Sequence, residues 1–238
     1  MDTRFLLLWF EAPLQSWGAD SKFGRRDSLP FPTKSGVLGL ICAALGATGE
    51  QRELLAEMAP FRQTVISFFR NKKNDEKEIA DRQTLLQDFH MVGSGYDNSD
   101  PWQSLLIPKT SEGKNAVGGG TKMTYRYYLQ DSKFAVVVEV PKEKVELIIQ
   151  ALQNPIYDIY LGRKNCVPTD FIYRGIFNSE EEAIVVATEI ATEKELTENF
   201  RVIPEEADGE SFIINDVPIQ FGQIKQYRDR RVTVIPHG

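Results

Sequence analysis

Histidine and cysteine are almost missing from this chain, and most routes to catalysis go with them. His90 and His237 are the only histidines among 238 residues, and His237 is penultimate. His90 is therefore the sole imidazole placed for general acid–base work, and a lone histidine in a strand-like stretch is more often a contact or packing residue. Cys42 and Cys166 stand alone, without CxxC or Cys/His spacing, which argues against a disulfide framework and against a zinc motif. With no HxH, no HExxH and no clustered Asp/Glu/His set, neither a metal nor another cofactor is expected. Long apolar runs are missing too. A membrane span needs roughly 18 apolar residues, and the longest candidate, Val37 to Leu45, is interrupted by Gly39 and bounded by Gly36 and Gly46. The six-residue apolar run after Arg4 is too short for a secretory signal, so the expected setting is a reducing cytoplasm with no membrane.

Positive charge is also in deficit, the net charge being −6, which at first argues against nucleic acid, since phosphate contacts need Lys and Arg. The distribution alters that. Residues 179–210 hold eleven acids against two bases, a local balance of −9 that leaves +3 for the remainder. Such a run reads either as a solvated surface or as a face that docks a basic partner or repels RNA from the wrong side.

What is present has the order of an α+β protein. Thr3 to Phe10 is an apolar run of buried-strand length. Thr33 can cap a helix with its body at Val37 to Leu45, and a second helical stretch covers Gln51 to Ala59 before Pro60. Arg62 to Arg70 reads as a strand, residues 71–122 are the least core-like part, and strands follow at Thr124 to Leu129 and Phe134 to Val140. Lys142 to Gln153 carries a broad apolar helical stripe. Further strand candidates are Phe171 to Phe177, Phe200 to Ile203, Phe212 to Ile214 and Val232 to Ile235. The pattern suits helices on one face of an antiparallel sheet.

Chemistry gathers first at Phe31 to Gly39, where free backbone N–H groups, a helix dipole, Lys34 and Ser35 converge beside Gly36 on one helix start, a potential anion site. A nucleotide-triphosphate loop is not expected, because Thr33 and Ser28 stand where its two glycines belong. Gly36, Gly39, Ala43 and Gly46 also recur at helical spacing and could let the helix lie close on its sheet. Upstream, Lys22, Arg25 and Arg26 lie near Trp17 and Phe23. Similar basic and aromatic mixtures recur at Tyr125 to Tyr128, around Arg126, and at Tyr160 to Lys164, which holds Gly162, Arg163 and Lys164. A fourth basic cluster spans Lys225 to Arg231. Such side chains can pair with phosphates while rings stack bases.

Five segments, in this order, resemble the CasD proteins, the Cas-five subunits of type I-E CRISPR Cascade complexes: Leu6 to Gly18 (LLLWFEAPLQSWG), Phe31 to Gly46 (FPTKSGVLGLICAALG), Leu86 to Gly93 (LQDFHMVG), Thr124 to Val140, and Tyr160 to Pro168 (YLGRKNCVP). The resemblance implies a modified RNA-recognition-motif (ferredoxin-like) palm over residues 1–178, with a β-hairpin thumb inserted at about 72–128. Residues 179–238 are left as a small, acidic, β-rich C-terminal extension. It further implies a non-catalytic subunit that holds the 5′ handle of the guide crRNA and caps the backbone beside CasC and CasA, meeting target DNA through the assembled complex. Lys22, Arg25, Arg26, Lys34, Ser35, Gly36, His90, Arg126, Gly162, Arg163 and Lys164 are the residues expected to meet RNA. The rival reading is a metal-independent crRNA-processing endoribonuclease, as in another CRISPR subtype. That activity uses a tyrosine, a lysine and a histidine, and no adjacent Lys-His pair exists here.

Overall fold

The structure, a computed structural model, describes residues 2–18, 24–74, 77–80, 85–92, 99–105, 109–114, 122–205 and 207–237. Strand β1 (Thr3–Glu11) reads as a continuous apolar run because both of its faces are covered. Leu6, Leu8 and Phe10 enter the larger core, while Leu7 and Trp9 enter a second one. Four two-residue strands follow: β2 (Leu14–Gln15), β3 (Trp17–Gly18), β4 (Arg25–Arg26) and β5 (Ser28–Leu29). Helix α1 (Lys34–Ala44) begins where expected, with the Thr33 hydroxyl accepting the Gly36 N–H at 3.2 Å. It stops at Gly46, whose φ of +69° suits glycine. Next come α2 (Arg52–Met58), β6 (Gln63–Asn74), β7 (Lys77–Ala80), β8 (Leu86–Val92), α3 (Pro101–Leu105), β9 (Lys122–Gln130) and β10 (Lys133–Pro141). A 3-10 turn leads into α4 (Val145–Gln153), then β11 (Tyr173–Phe177), α5 (Glu180–Glu193), β12 (Leu196–Ile203), β13 (Glu210–Gln220) and β14 (Gln226–Pro236).

The principal sheet runs β11-β1-β10-β6-β12-β14-β13, with β7 paired to β6, and every neighbouring pair along it is antiparallel. The acidic C-terminal segment is hydrogen-bonded directly into this sheet, because β12 pairs with β6. Helices α1, α2 and α4 contribute to the core on one face. Helix α5 closes the other, laying Ala183, Ala187 and Ala191 on Leu7, Trp9, Ile66, Phe68, Ala135 and Val137. Three alanines on one turn-spaced stripe let the helix approach a sheet that already carries the stacked Trp9 and Phe68 rings, 5.5 Å apart.

Sequence reasoning left α5 out, treating its residues only as an acidic run. Its start is nevertheless written as Ser179-x-x-Glu182. The Ser179 hydroxyl accepts the Glu182 N–H at 3.2 Å, and the Glu182 carboxylate reaches back to the Asn178 N–H at 3.1 Å. Some of the acids are also engaged within the chain: Glu180 binds Arg62 at 2.9 Å and the Thr64 hydroxyl, and Glu198 holds Arg201.

Candidate nucleic-acid interface

The two segments most characteristic of the sequence, APLQSWG and FPTKSGVLGL, meet in space. Gln15 is buried and ties the β1 and β10 ends together, donating to the Ser132 carbonyl at 2.6 Å and to that of Phe10 at 3.3 Å. Its own oxygen accepts the Trp17 indole N–H at 3.1 Å, which turns the ring onto Phe10, 5.3 Å between centroids. A Cβ at Gly36 would lie 2.9 Å from that ring, so glycine is what admits the tryptophan there. Ser16 anchors a third segment, its N–H donating to the Leu161 carbonyl at 3.1 Å. Gly162, at φ +101°, sits so close that a Cβ would come within 1.7 Å of the Ser16 carbonyl.

These contacts shape a cleft of about 600 Å³ whose wall takes in Trp17, Arg26, Ser35, Gly36, Gly162 and Arg163. Residues distant in sequence are thereby brought together, although Arg25, Lys34, His90, Arg126 and Lys164 do not line the cleft. The cleft also contains side chains that were not singled out as RNA contacts: Tyr157, Tyr160, Lys225 and Tyr227. The signal for the last two was the Lys225 to Arg231 cluster, which no local pattern linked to helix α1. Cys42 lies on the same wall, but burial pushes its thiol up to about 11, leaving it protonated and inert near neutral pH.

Two expectations about α1 exchange places. Lys34 does not reach toward solvent: it is 5% exposed, and its ammonium donates to the carbonyls of Ala59, at 2.7 Å, and Phe61. Burial, and then the charge of Arg230, push it down to about 8. The backbone N–H of Lys34 is taken as well, by the Asp216 carboxylate at 2.7 Å. The chain thus fills the N–H that opens this helix start with its own anion, and the expected phosphate-gripping role of Lys34 is corrected on that ground. The small residues do the reverse. Val37, Leu38, Leu40, Ile41 and Ala44 face the core, whereas Gly36, Gly39 and Ala43 line the open cleft instead of packing on the sheet.

The basic residues around the cleft divide into fixed and available ones. Arg163 lies over the Tyr128 ring at 4.7 Å and donates to the carbonyls of Tyr127 at 3.2 Å and Arg26 at 2.8 Å, clamping β9 to β4. Arg25 stacks on Tyr127 at 5.1 Å and pairs with Asp27 at 2.8 Å. Arg26 and Arg126 are register partners across the parallel β4–β9 pair, and Arg126 also stands opposite Asp88 across the antiparallel β8–β9 pair, without an ion pair among the described residues. His90 lies away from the cleft, on the β8–β9 pair, with its ring bonded to Asp88. Lys22 lies outside the described residues. Among those residues no group of three or more His, Cys, Asp or Glu could hold a metal, and no helix is long and apolar enough to cross a membrane.

The same chain shows clear likenesses to known proteins. A family model described as CRISPR-associated protein (Cas_Cas5) matches residues 5–233. The Escherichia coli (strain K12) protein named CRISPR system Cascade subunit CasD is 29% identical over 177 residues, which covers 72% of this chain and 70% of that protein. A chain from a solved CRISPR RNA-guided surveillance complex superposes with a TM-score of 0.70 at 25% identity, over 98% of this chain and 89% of its own. A second solved structure, described as a Cas protein, superposes with a TM-score of 0.59 at 25% identity, over 98% and 95% of the two chains.

Proposed function

The chain belongs to the CRISPR-associated protein (Cas_Cas5) family, and from that premise we propose that it is a non-catalytic RNA-binding subunit of a type I-E Cascade surveillance complex. On this reading it grips the 5′ handle of the guide crRNA, stands beside CasC and CasA in the complex, and meets target DNA only through that assembly. The observation that carries the reading is the cleft, where Arg26 and Lys225 converge with Tyr157, Tyr160 and Tyr227. Cations for phosphates and rings for unstacked bases are what single-stranded RNA requires. Gly36 and Gly162 serve the cleft indirectly: the space that side chains there would take is filled by the Trp17 ring and the Ser16 carbonyl, which fixes the wall in place.

The strand order supports an RNA-recognition-motif-like palm. Taking β1, β6, β10 and β11 as strands one to four, the sheet order β11-β1-β10-β6 is 4-1-3-2, with α1 following strand one and α4 following strand three. In such folds bases commonly stack on the open sheet face. Here α5 covers that face, so RNA contact passes to the cleft and to the β8–β9 pair, which serves as the thumb and carries Arg126 and His90.

The test uses a complex assembled from the full chain, CasC and guide RNA. Arg26→Ala and Arg126→Ala, neither of which disturbs an ion pair of the described chain, should each weaken RNA retention. Each should also make the dependence on log salt shallower by about 0.7, the value for one lost single-strand phosphate contact. Unchanged retention and slope in both variants would remove the basis for this reading.

A further inference from the structure

The C-terminal hairpin of β13 and β14 belongs to the part of the chain that looked least suited to RNA, yet its tip is chemically unlike the acidic segment before it. Residues 221–228 contain Lys225 and Arg228 and no acid. Two anchors fix this hairpin against the helix that borders the cleft. In the middle of β13, Asp216 is 2% exposed and accepts the Lys34 N–H at 2.7 Å, while Arg230 of β14 grips it with two bonds of 2.7 and 2.9 Å. At the tip, Gln220 donates to the Glu50 carboxylate at 3.2 Å and to the Ile224 carbonyl at 2.9 Å. The Phe221 N–H donates to the Glu50 carbonyl at 2.9 Å. The hairpin is thus pinned at the start of α1 and again beyond its end, and the tip so held places Phe221, Lys225 and Tyr227 in the cleft.

We infer that this hairpin is a wall of the RNA cleft: Lys225 and Tyr227 contact single-stranded RNA, and Asp216 with Arg230 are positioning residues that hold them in place. The inference deepens the RNA-binding reading above and rests on it. Geometry is what makes the clamp suited to positioning. A guanidinium fork on a carboxylate fixes direction as well as distance, and a carboxylate seated on a helix-start N–H refers that direction to α1 itself. Apolar burial would attach the hairpin without setting where its tip points, because hydrophobic attraction is non-directional.

The experiment is a double-mutant cycle in the assembled complex, following the release of guide RNA. Lys225→Ala with Tyr227→Ala removes the tip contacts, Asp216→Asn loosens the clamp, and a third form combines them. Loss of a stacked base and a phosphate contact should weaken retention roughly tenfold or more in the tip variant. Asp216→Asn alone should weaken it by a comparable factor, and the combined form should be no weaker than the tip variant, because the clamp acts only through the tip. Additive losses would show that Asp216 acts on the fold in general and would overturn the positioning role. An unaltered tip variant would overturn the inference as a whole. Should Asp216→Asn fail to assemble, Arg230→Gln enters the same cycle, since it spares the bond between Asp216 and the Lys34 N–H. Arg26→Ala separates the two levels: if it weakens retention while the tip variant does not, only the hairpin inference fails, and if neither has an effect the RNA cleft fails with it.

Discussion

Lys34 offers a direct test of the buried network, because its charge is held where charge is unfavourable. Its side chain lies between the C-terminal end of α2 and the Asp216–Arg230 pair, and burial pushes its ammonium from the ordinary 10.5 to about 8. Between those two values the unfolded chain holds a proton that the folded chain has released. Raising the pH through that window therefore favours the folded state, and the gain is lost again as the pH falls through about 8. At 1.36 kcal/mol per unit, the full window is worth about 3 kcal/mol, which for a domain of this size is on the order of 6–12 °C in Tm. Lys34→Met isolates the effect. It leaves the carbonyls of Ala59 and Phe61 without their donor at every pH, a constant loss, but removes the titrating group. Urea unfolding of both proteins from pH 7 to pH 10 should show the wild type gaining stability relative to Lys34→Met as the pH rises. Parallel curves would show that the Lys34 ammonium is solvated, and a wild type that loses ground would show that its partners stabilise the charge more than burial opposes it; either result overturns the reasoning.

Two other outcomes follow from the site. Gly162→Ala should cost at least about 2–3 kcal/mol, because a Cβ 1.7 Å from the Ser16 carbonyl forces the 160–166 loop off its support and φ is +101°; a thermal melt indistinguishable from wild type would contradict the close approach. On the binding reading, incubation of the purified chain with repeat RNA in the presence of chelator should give no cleavage; cleavage abolished by His90→Ala would replace the binding role with a nucleolytic one.

Much of the framework was legible because it depends on local rules. The apolar run of β1, the Thr33 cap, the apolar stripe of Lys142 to Gln153 and the strand around Arg62 to Arg70 all lie where periodicity and capping place them. Helix α5 was equally legible in its Ser179-x-x-Glu182 start, but the density of acids drew the reading toward a surface run. Alanine stripes carry little hydropathy, so Ala183, Ala187 and Ala191 do not announce a buried face in the way that leucines would.

The roles of individual side chains around α1 were beyond local rules. Whether Lys34 points to solvent or into the protein depends on Asp216, Arg230 and the Ala59 and Phe61 carbonyls, and the two charged residues lie more than 180 positions away in a hairpin whose docking no sequence window contains. The same non-local step turns Gly36, Gly39 and Ala43 into a cleft wall and adds Lys225 and Tyr227 to it. Sequence alone determined the kinds of elements, the family resemblance and the supply of cations and aromatic rings. Tertiary structure decided which of those groups are spent on holding the fold and which remain for a ligand, because a charge is committed or available only according to what long-range packing sets beside it.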